Sequence, residues 1–237
     1  MDASTRAGSP KEPAGPPDVP LGLRERRRRE TLREVSDAAI ALFERKGVAA
    51  TTVDDIAHAA GISQRTFFRY YATKEHALFV DDEGFGTVMS ETIAAIRAGT
   101  PVVAALEGGW LRLFADFDAR PEDHARTLRV RRLIHTEPSL LALALSNEAE
   151  HSDELTAATI DAAGADADLL TARALVAAIA TTTRLAFDEW ARRTELAGEA
   201  GVSLRAEPGA PARVRDIYLE LRRGLAAYAV QLGEDPA

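Results

Sequence analysis

The 237 residues contain no cysteine, which excludes disulfides and thiolate chemistry and suits a reducing cytosol. The five histidines, His58, His76, His124, His135 and His151, show no H-E-x-x-H or other paired spacing, so no metal site is expected. Phosphate loops of the G-x-G-x-x-G or P-loop kind are missing, as is the G-x-S-x-G of a nucleophile elbow. Adjacent carboxylates such as Asp54 and Asp55 have a sufficient role at a helix N-terminus. Neither catalysis nor a cofactor is therefore expected. No stretch approaches the roughly 20 apolar residues of a membrane span, and no charged-then-apolar leader opens the chain. A cytoplasmic protein that makes no use of a membrane is the expectation. Runs of β-branched residues are scarce while alanine and leucine dominate, which predicts an all-α fold.

Charge is unevenly spread. The formal net charge is −8, which ill suits a nucleic-acid binder until it is divided along the chain. Residues 21–80 hold 11 basic and 8 acidic side chains, whereas residues 81–237 hold 16 and 26. One end is thus suited to phosphate and the other is repelled by it.

Within the basic end, residues 52–74 read TVDDIAHAAGISQRTFFRYYATK. Thr52 is placed to cap a first helix, and Val53, Ile56, Ala57 and Ala60 recur at helical spacing. Gly61 ends that helix where a left-handed residue is cheap, and Ser63 caps a second helix from Gln64 to about Tyr71. Small residues at 57, 60 and 61 let the two helices cross closely, as a helix-turn-helix requires. Gln64, Arg65 and Thr66 fall in the first turn of the second helix, suited to base edges in a major groove. Arg69, Tyr70 and Lys74 follow as phosphate donors, with a further helix start near Lys74, capped by Thr73, as an anion site. Phe67 and Tyr71 pack the helix on its scaffold. The plainer reading is a solvated helical hairpin.

The run T-x-x-x-I-A-x-x-A-G-I-S-x-x-T-F-F-R-Y-Y-x-x-K-E resembles the DNA-binding domain of the TetR family of bacterial repressors, over roughly residues 28 to 80. That resemblance implies phosphate contacts from Thr52, Tyr70 and Lys74, and contacts mainly to bases from Gln64, Arg65 and Thr66. Phe68 stands where many members have tyrosine, so van der Waals contact replaces one hydroxyl contact.

Around this unit, residues 1–20 hold five prolines and almost nothing apolar, and are expected to be a disordered tail. LGLRERRRRE follows, with Arg26 and Arg28 among five arginines. It reads either as an arm along the DNA backbone or minor groove, or as the solvated start of helix 1 with a Glu30–Arg26 pair. Helix 1 is expected from near Glu25 to Lys46, stopped by Gly47. These parts make residues 21–83 the expected DNA-binding domain. A fourth helix should start near Lys74 and end at Gly84 and Gly86. Six further helices are expected in residues 84–237, near 86–98, 101–117, 121–136, 139–163, 166–194 and 211–232.

The last two helices offer apolar faces larger than one small core needs, and the resemblance implies a homodimer through them. Trp110, Phe114 and Phe117 fall at i, i+4 and i+7. With Phe187 and Trp190 they are candidates to wall a pocket for an apolar or amphipathic effector, plain core being the alternative for each. The helix EDHARTLRVRRLIHTEP carries four arginines, of which Arg129 and Arg132 are candidates for an anionic head group; the alternative is a solvated face. This segment and LAFDEW loosely resemble the mycofactocin-system regulators, which implies an acyl-coenzyme-A-like effector. The sequence thus points to a dimeric, ligand-responsive repressor on a double-stranded, palindromic operator, with half-sites about 34–36 Å apart. An activator or structural DNA binder, and a helical enzyme, are the competing classes.

Overall fold

The computed structural model describes residues 22–79, 83–164, 168–199 and 213–233. The tail at 1–20, the helix starts at Asp166 and Pro211 and the side chains of Tyr228 and Leu232 fall outside these residues. Among the described residues there are helices and no strand: α1 (Leu23–Lys46), α2 (Val53–Ala59), α3 (Gln64–Tyr70), a 3-10 turn (Glu75–Leu78), α4 (Glu83–Arg97), α5 (Val102–Asp118), α6 (Pro121–Thr136), α7 (Pro138–Ala163), α8 (Leu169–Glu199) and α9 (Val214–Gly233). The fold is all-α.

In α1, Val35, Ala39, Ile40, Leu42 and Phe43 form the buried face, and Gly47 ends the helix at φ +81°. The arginines at 24 and 26–29 form the first turns of α1. Glu25 sits one turn before Arg28 and Arg29, at 3.0 and 3.5 Å, and this i,i+3/i+4 geometry favours continued helix. No Arg26–Glu30 pair forms among the described residues.

Phe67 and Ile56, both fully buried, seat α3 and α2 against that face of α1. Removing a ring such as Phe67 typically costs about 3–5 kcal/mol. The same cluster is completed by Leu133 of α6 and Leu140 of α7, with Val130 and Ile134 packed on it. The N-terminal helices therefore share one apolar core with the helices that follow.

A correction concerns the segment after Lys74. It forms only the four-residue 3-10 turn, which Phe79 leaves at φ −95°, ψ 69°. Gly84 and Gly86 lie inside α4 and do not end a helix. Glycine weakens a helix interior by about 1 kcal/mol relative to alanine. The buried Val88, Met89, Thr92 and Ile96 outweigh this by packing α4 on α5.

Contact between α4 and α5 is close at Gly109. A methyl group there would stand 2.3 Å from the Thr92 hydroxyl and 3.3 Å from Val88 Cγ1. A second connection joins α5 to α9: the Asp118 carboxylate accepts the backbone N–H of Val214 at 3.2 Å, capping the last helix. The α8 helix is also more apolar than the sequence reading allowed. Residues Leu169–Ala197 are long and apolar enough to cross a membrane by length and composition, with mean hydropathy 1.3 over 18 residues.

Gly109→Ala is expected to force α4 and α5 apart and to lower stability by about 1–3 kcal/mol, the usual range for overpacking. Urea denaturation followed by circular dichroism checks this; an unchanged midpoint would mean that Thr92 simply rotates away.

Candidate nucleic-acid interface and ligand cavity

Two capped helices form the reading head. Thr52 and Asp55 make a reciprocal box: the Asp55 N–H donates to the Thr52 hydroxyl at 3.1 Å, and the Thr52 N–H donates to the Asp55 carboxylate at 2.8 Å. The Lys46 ammonium donates to the same carboxylate at 2.6 Å. Lys46 and Thr52 together hold the Asp55 carboxyl far below its usual range. Gly61, at φ +66°, makes the turn. Ser63 then accepts the Thr66 N–H at 3.1 Å, which opens α3.

Along α3 the outer residues differ in what they already hold. Gln64 donates from Nε2 to Asp54 Oδ1 at 2.9 Å across the turn. Arg69 donates to the Tyr70 hydroxyl at 2.8 Å with its guanidinium 4.6 Å above that ring. Arg65 makes no ion pair or hydrogen bond among the described residues and is exposed. Phe68 is 56% exposed, as a contact surface for another molecule requires. On the inner side, Phe67 has no exposure and Tyr71 donates its hydroxyl to the Leu32 carbonyl at 3.1 Å. Burial pushes the Tyr71 phenol up to about 12.

Lys74 has a role the sequence did not suggest. Its ammonium donates to the Val48 carbonyl at 2.7 Å and the Thr51 carbonyl at 2.8 Å, pinning the α1–α2 connection. The expected anion site at a helix start near Lys74 is corrected: the 3-10 turn is too short for one, and the Thr73 hydroxyl faces the His76 ring at 2.8 Å.

Beyond the reading head, a cavity of about 430 Å³ opens among α4 to α8. Trp110, Phe117 and Phe187 line it. Phe114, fully buried, and Trp190, 3% exposed, do not. They belong to the adjoining core with Ile217 and Tyr218 of α9, the Phe114 and Tyr218 rings lying 5.1 Å apart. Arg129 and Arg132 are also absent from the lining. Each residue turns a helix by about 100°, so Thr127, Val130, Arg131 and Ile134 share the cavity face and positions 129 and 132 lie across from it. Arg129 instead grips Glu44 of α1 with two nitrogens, at 2.6 and 2.9 Å, and Arg132 meets Glu195 of α8 at 2.9 Å. Glu44 is held below its usual range by that Arg129 bond.

Sequence reasoning missed Arg126, Arg131, His135, Thr183 and Asp188 on the cavity wall. The signal available was Val130, whose apolar side chain between two arginines marks the inward phase of α6. Arg126 sits on the seam: it lines the cavity, donates to Asp37 of α1 at 3.0 Å and also bonds the Ser36 hydroxyl. Arg33 of α1 pairs with Asp123 at the start of α6.

Residues 35–79 match the family described as bacterial regulatory proteins, tetR family. Over 206 residues the chain is 27% identical to the HTH-type transcriptional regulator TcmR of Streptomyces glaucescens, covering 85% of this chain and 91% of that protein. Over 49 residues it is 57% identical to MftR of Mycobacterium tuberculosis, named as a mycofactocin biosynthesis transcriptional regulator; this covers 21% of the chain and 25% of MftR. The capped helix pair lies within the matched residues, so residues 35–79 carry the DNA-binding unit of the tetR family, and the chain is similar over most of its length to a transcriptional regulator.

Proposed function

We propose that the protein is a ligand-responsive repressor, acting in the cytoplasm as a homodimer on a palindromic operator. Residues 21–83 serve as the DNA-binding domain and residues 84–237 as the ligand-binding and dimerisation domain. The observation that carries this reading is the double engagement of α6. One face lines the cavity, and the adjoining edge holds α1 through Arg33–Asp123, Arg126–Asp37 and Arg129–Glu44. A molecule that fills the cavity displaces α6, and α6 carries α1 and the reading head with it. Such coupling is typically about 1–3 kcal/mol. Footprinting on the protein's own promoter tests the regulatory role; protection without sequence preference would favour a structural DNA binder.

In this reading Arg65, unengaged in the free protein, goes to a base edge, and Gln64 and Thr66 join it. Lys74 keeps its two carbonyls and offers its remaining N–H to a phosphate. Arg65→Ala is expected to cost about 1–3 kcal/mol on the operator and to relax base preference. Lys74→Met is expected to weaken all DNA alike and to lower stability, because it takes the ammonium from the Thr51 carbonyl and leaves the Val48 carbonyl only the Thr51 N–H. Competition binding with operator and unrelated duplexes, beside urea denaturation, separates the two; a Lys74→Met protein of full stability would remove the pinning role.

Support for the dimer comes from exposed apolar surface on the last two helices. Ala174, Ala178, Leu185 and Leu196 form an outward stripe on α8, and Gly224, Leu225, Ala226 and Ala227 lie exposed on α9. A face of this kind is stable in water when a second copy covers it. Leu185→Glu, at a position 46% exposed within one chain, is expected to yield a folded monomer in sedimentation velocity. An undiminished dimer would place the interface elsewhere.

Coupling through α6 has its own test. Arg33→Gln with Arg129→Gln, both outside the cavity lining, is expected to leave ligand-induced thermal stabilisation in place while reducing operator release by the same compound. Compounds are first selected as those that both stabilise and release the wild-type protein. Equal release by the double variant would exclude this route.

A further inference from the structure

We infer that the cavity is shaped for an uncharged, largely aromatic molecule that presents one oxygen to Thr183, and not for an anion. This deepens the ligand-responsive reading and rests on it. The argument begins with charge. Four arginines line the cavity, Arg120, Arg126, Arg131 and Arg184, and each already has an acidic partner. Arg131 donates to Asp188 at 2.8 Å, Arg184 to Glu148 at 3.2 Å and Arg126 to Asp37 at 3.0 Å; Arg120 lies 3.5 Å from Asp123. His135 also stands 3.2 Å from Asp188.

An incoming carboxylate or phosphate would have to take a guanidinium away from its partner. At Arg131 that would take from the Asp188 carboxylate, 20% exposed beside an apolar wall, its 2.8 Å partner and leave it His135 at 3.2 Å and Arg184 at 4.0 Å. Breaking a largely buried pair costs more than leaving the pair intact. A cationic ligand meets the mirror-image obstacle. The remaining wall is aromatic and aliphatic, with Phe85, Trp110, Phe117 and Phe187 contributing ring faces or edges.

The oxygen is indicated by Thr183, which is 6% exposed and lines the cavity. Two other buried threonines of α8 satisfy their hydroxyls within the helix, Thr182 on the Ala178 carbonyl at 2.7 Å and Thr194 on the Trp190 carbonyl at 2.8 Å. The Thr183 hydroxyl has no hydrogen-bond partner among the described residues. A buried hydroxyl left in this state is unfavourable, and a ligand carbonyl or hydroxyl relieves it. Ser152 and Thr127, which also face the cavity, make no side-chain hydrogen bond among the described residues and extend the same polar allowance.

The test uses three flat probes of one skeleton on the full-length protein: fluorene, fluorenone and fluorenone-2-carboxylate. Dissociation constants are read from quenching of tryptophan fluorescence, Trp110 lining the cavity. Fluorenone is expected to bind roughly tenfold tighter than either fluorene or the carboxylate, the first ratio being the usual worth of one buried hydrogen bond. Thr183→Val, which keeps the shape and removes the hydroxyl, is expected to abolish the advantage of fluorenone over fluorene without lowering the stability of the free protein. The inference is overturned if the carboxylate binds as tightly as fluorenone. An unchanged fluorenone-to-fluorene ratio in Thr183→Val, or no binding by any of the three, overturns it as well. Operator binding by the same samples is measured alongside, so that failure here leaves the regulatory reading standing and loss of operator recognition is seen separately.

Discussion

A guanidinium removed from water must find a carboxylate, and α6 meets this requirement on every side. Its arginines reach back to α1, inward to α8 and outward to Glu195, so that the helix is tied to both halves of the chain. Burial pulls the Arg131 pKa down, and the Asp188 carboxylate opposes this. Exposed members of the set, such as Arg132 with Glu195, are worth little by themselves. Their joint effect is geometric: they fix which way each face of α6 points, and with it what the cavity can hold and what α1 feels.

The reading head depends on a different kind of restraint. Helices of seven residues are too short to be stable alone. Side-chain caps at Thr52 and Ser63, the buried Phe67 and the bond from Tyr71 to the Leu32 carbonyl hold them against α1. Lys74 closes the arrangement from below through Val48 and Thr51. Leu133 of α6 and Leu140 of α7 complete the same core.

Much of this was legible in the residues. The caps, the glycine turn and the apolar spacing of 52–71 are local signals, and the structure has them where the chain implies them. The helices between residues 101 and 163 are punctuated by proline and glycine and stand within a residue or two of expectation. What was not legible depends on long-range partners. Arg129 and Glu44 are 85 positions apart, and Arg131 and Asp188 are 57 apart. Nothing local says which acid each arginine meets, or which arginines line the cavity. Likewise Phe114 and Phe117 share one apolar pattern on α5, yet only the second reaches the cavity, because α9 covers the first. Gly84 and Gly86 misled for the same reason: a tertiary face on α4 overrode a local preference.

On the proposed reading, in which Gln64 meets a base edge, its bond to Asp54 has a kinetic meaning. A glutamine at the tip of a recognition helix is already satisfied before the protein meets a duplex, by an acceptor from the neighbouring helix. Sliding over arbitrary sequence therefore does not demand that this amide find a base at every step. It is released only where a base edge offers more than a single carboxylate oxygen does. Asp54 would then act as a latch that keeps passage along non-cognate DNA smooth and delays commitment until the right pair arrives.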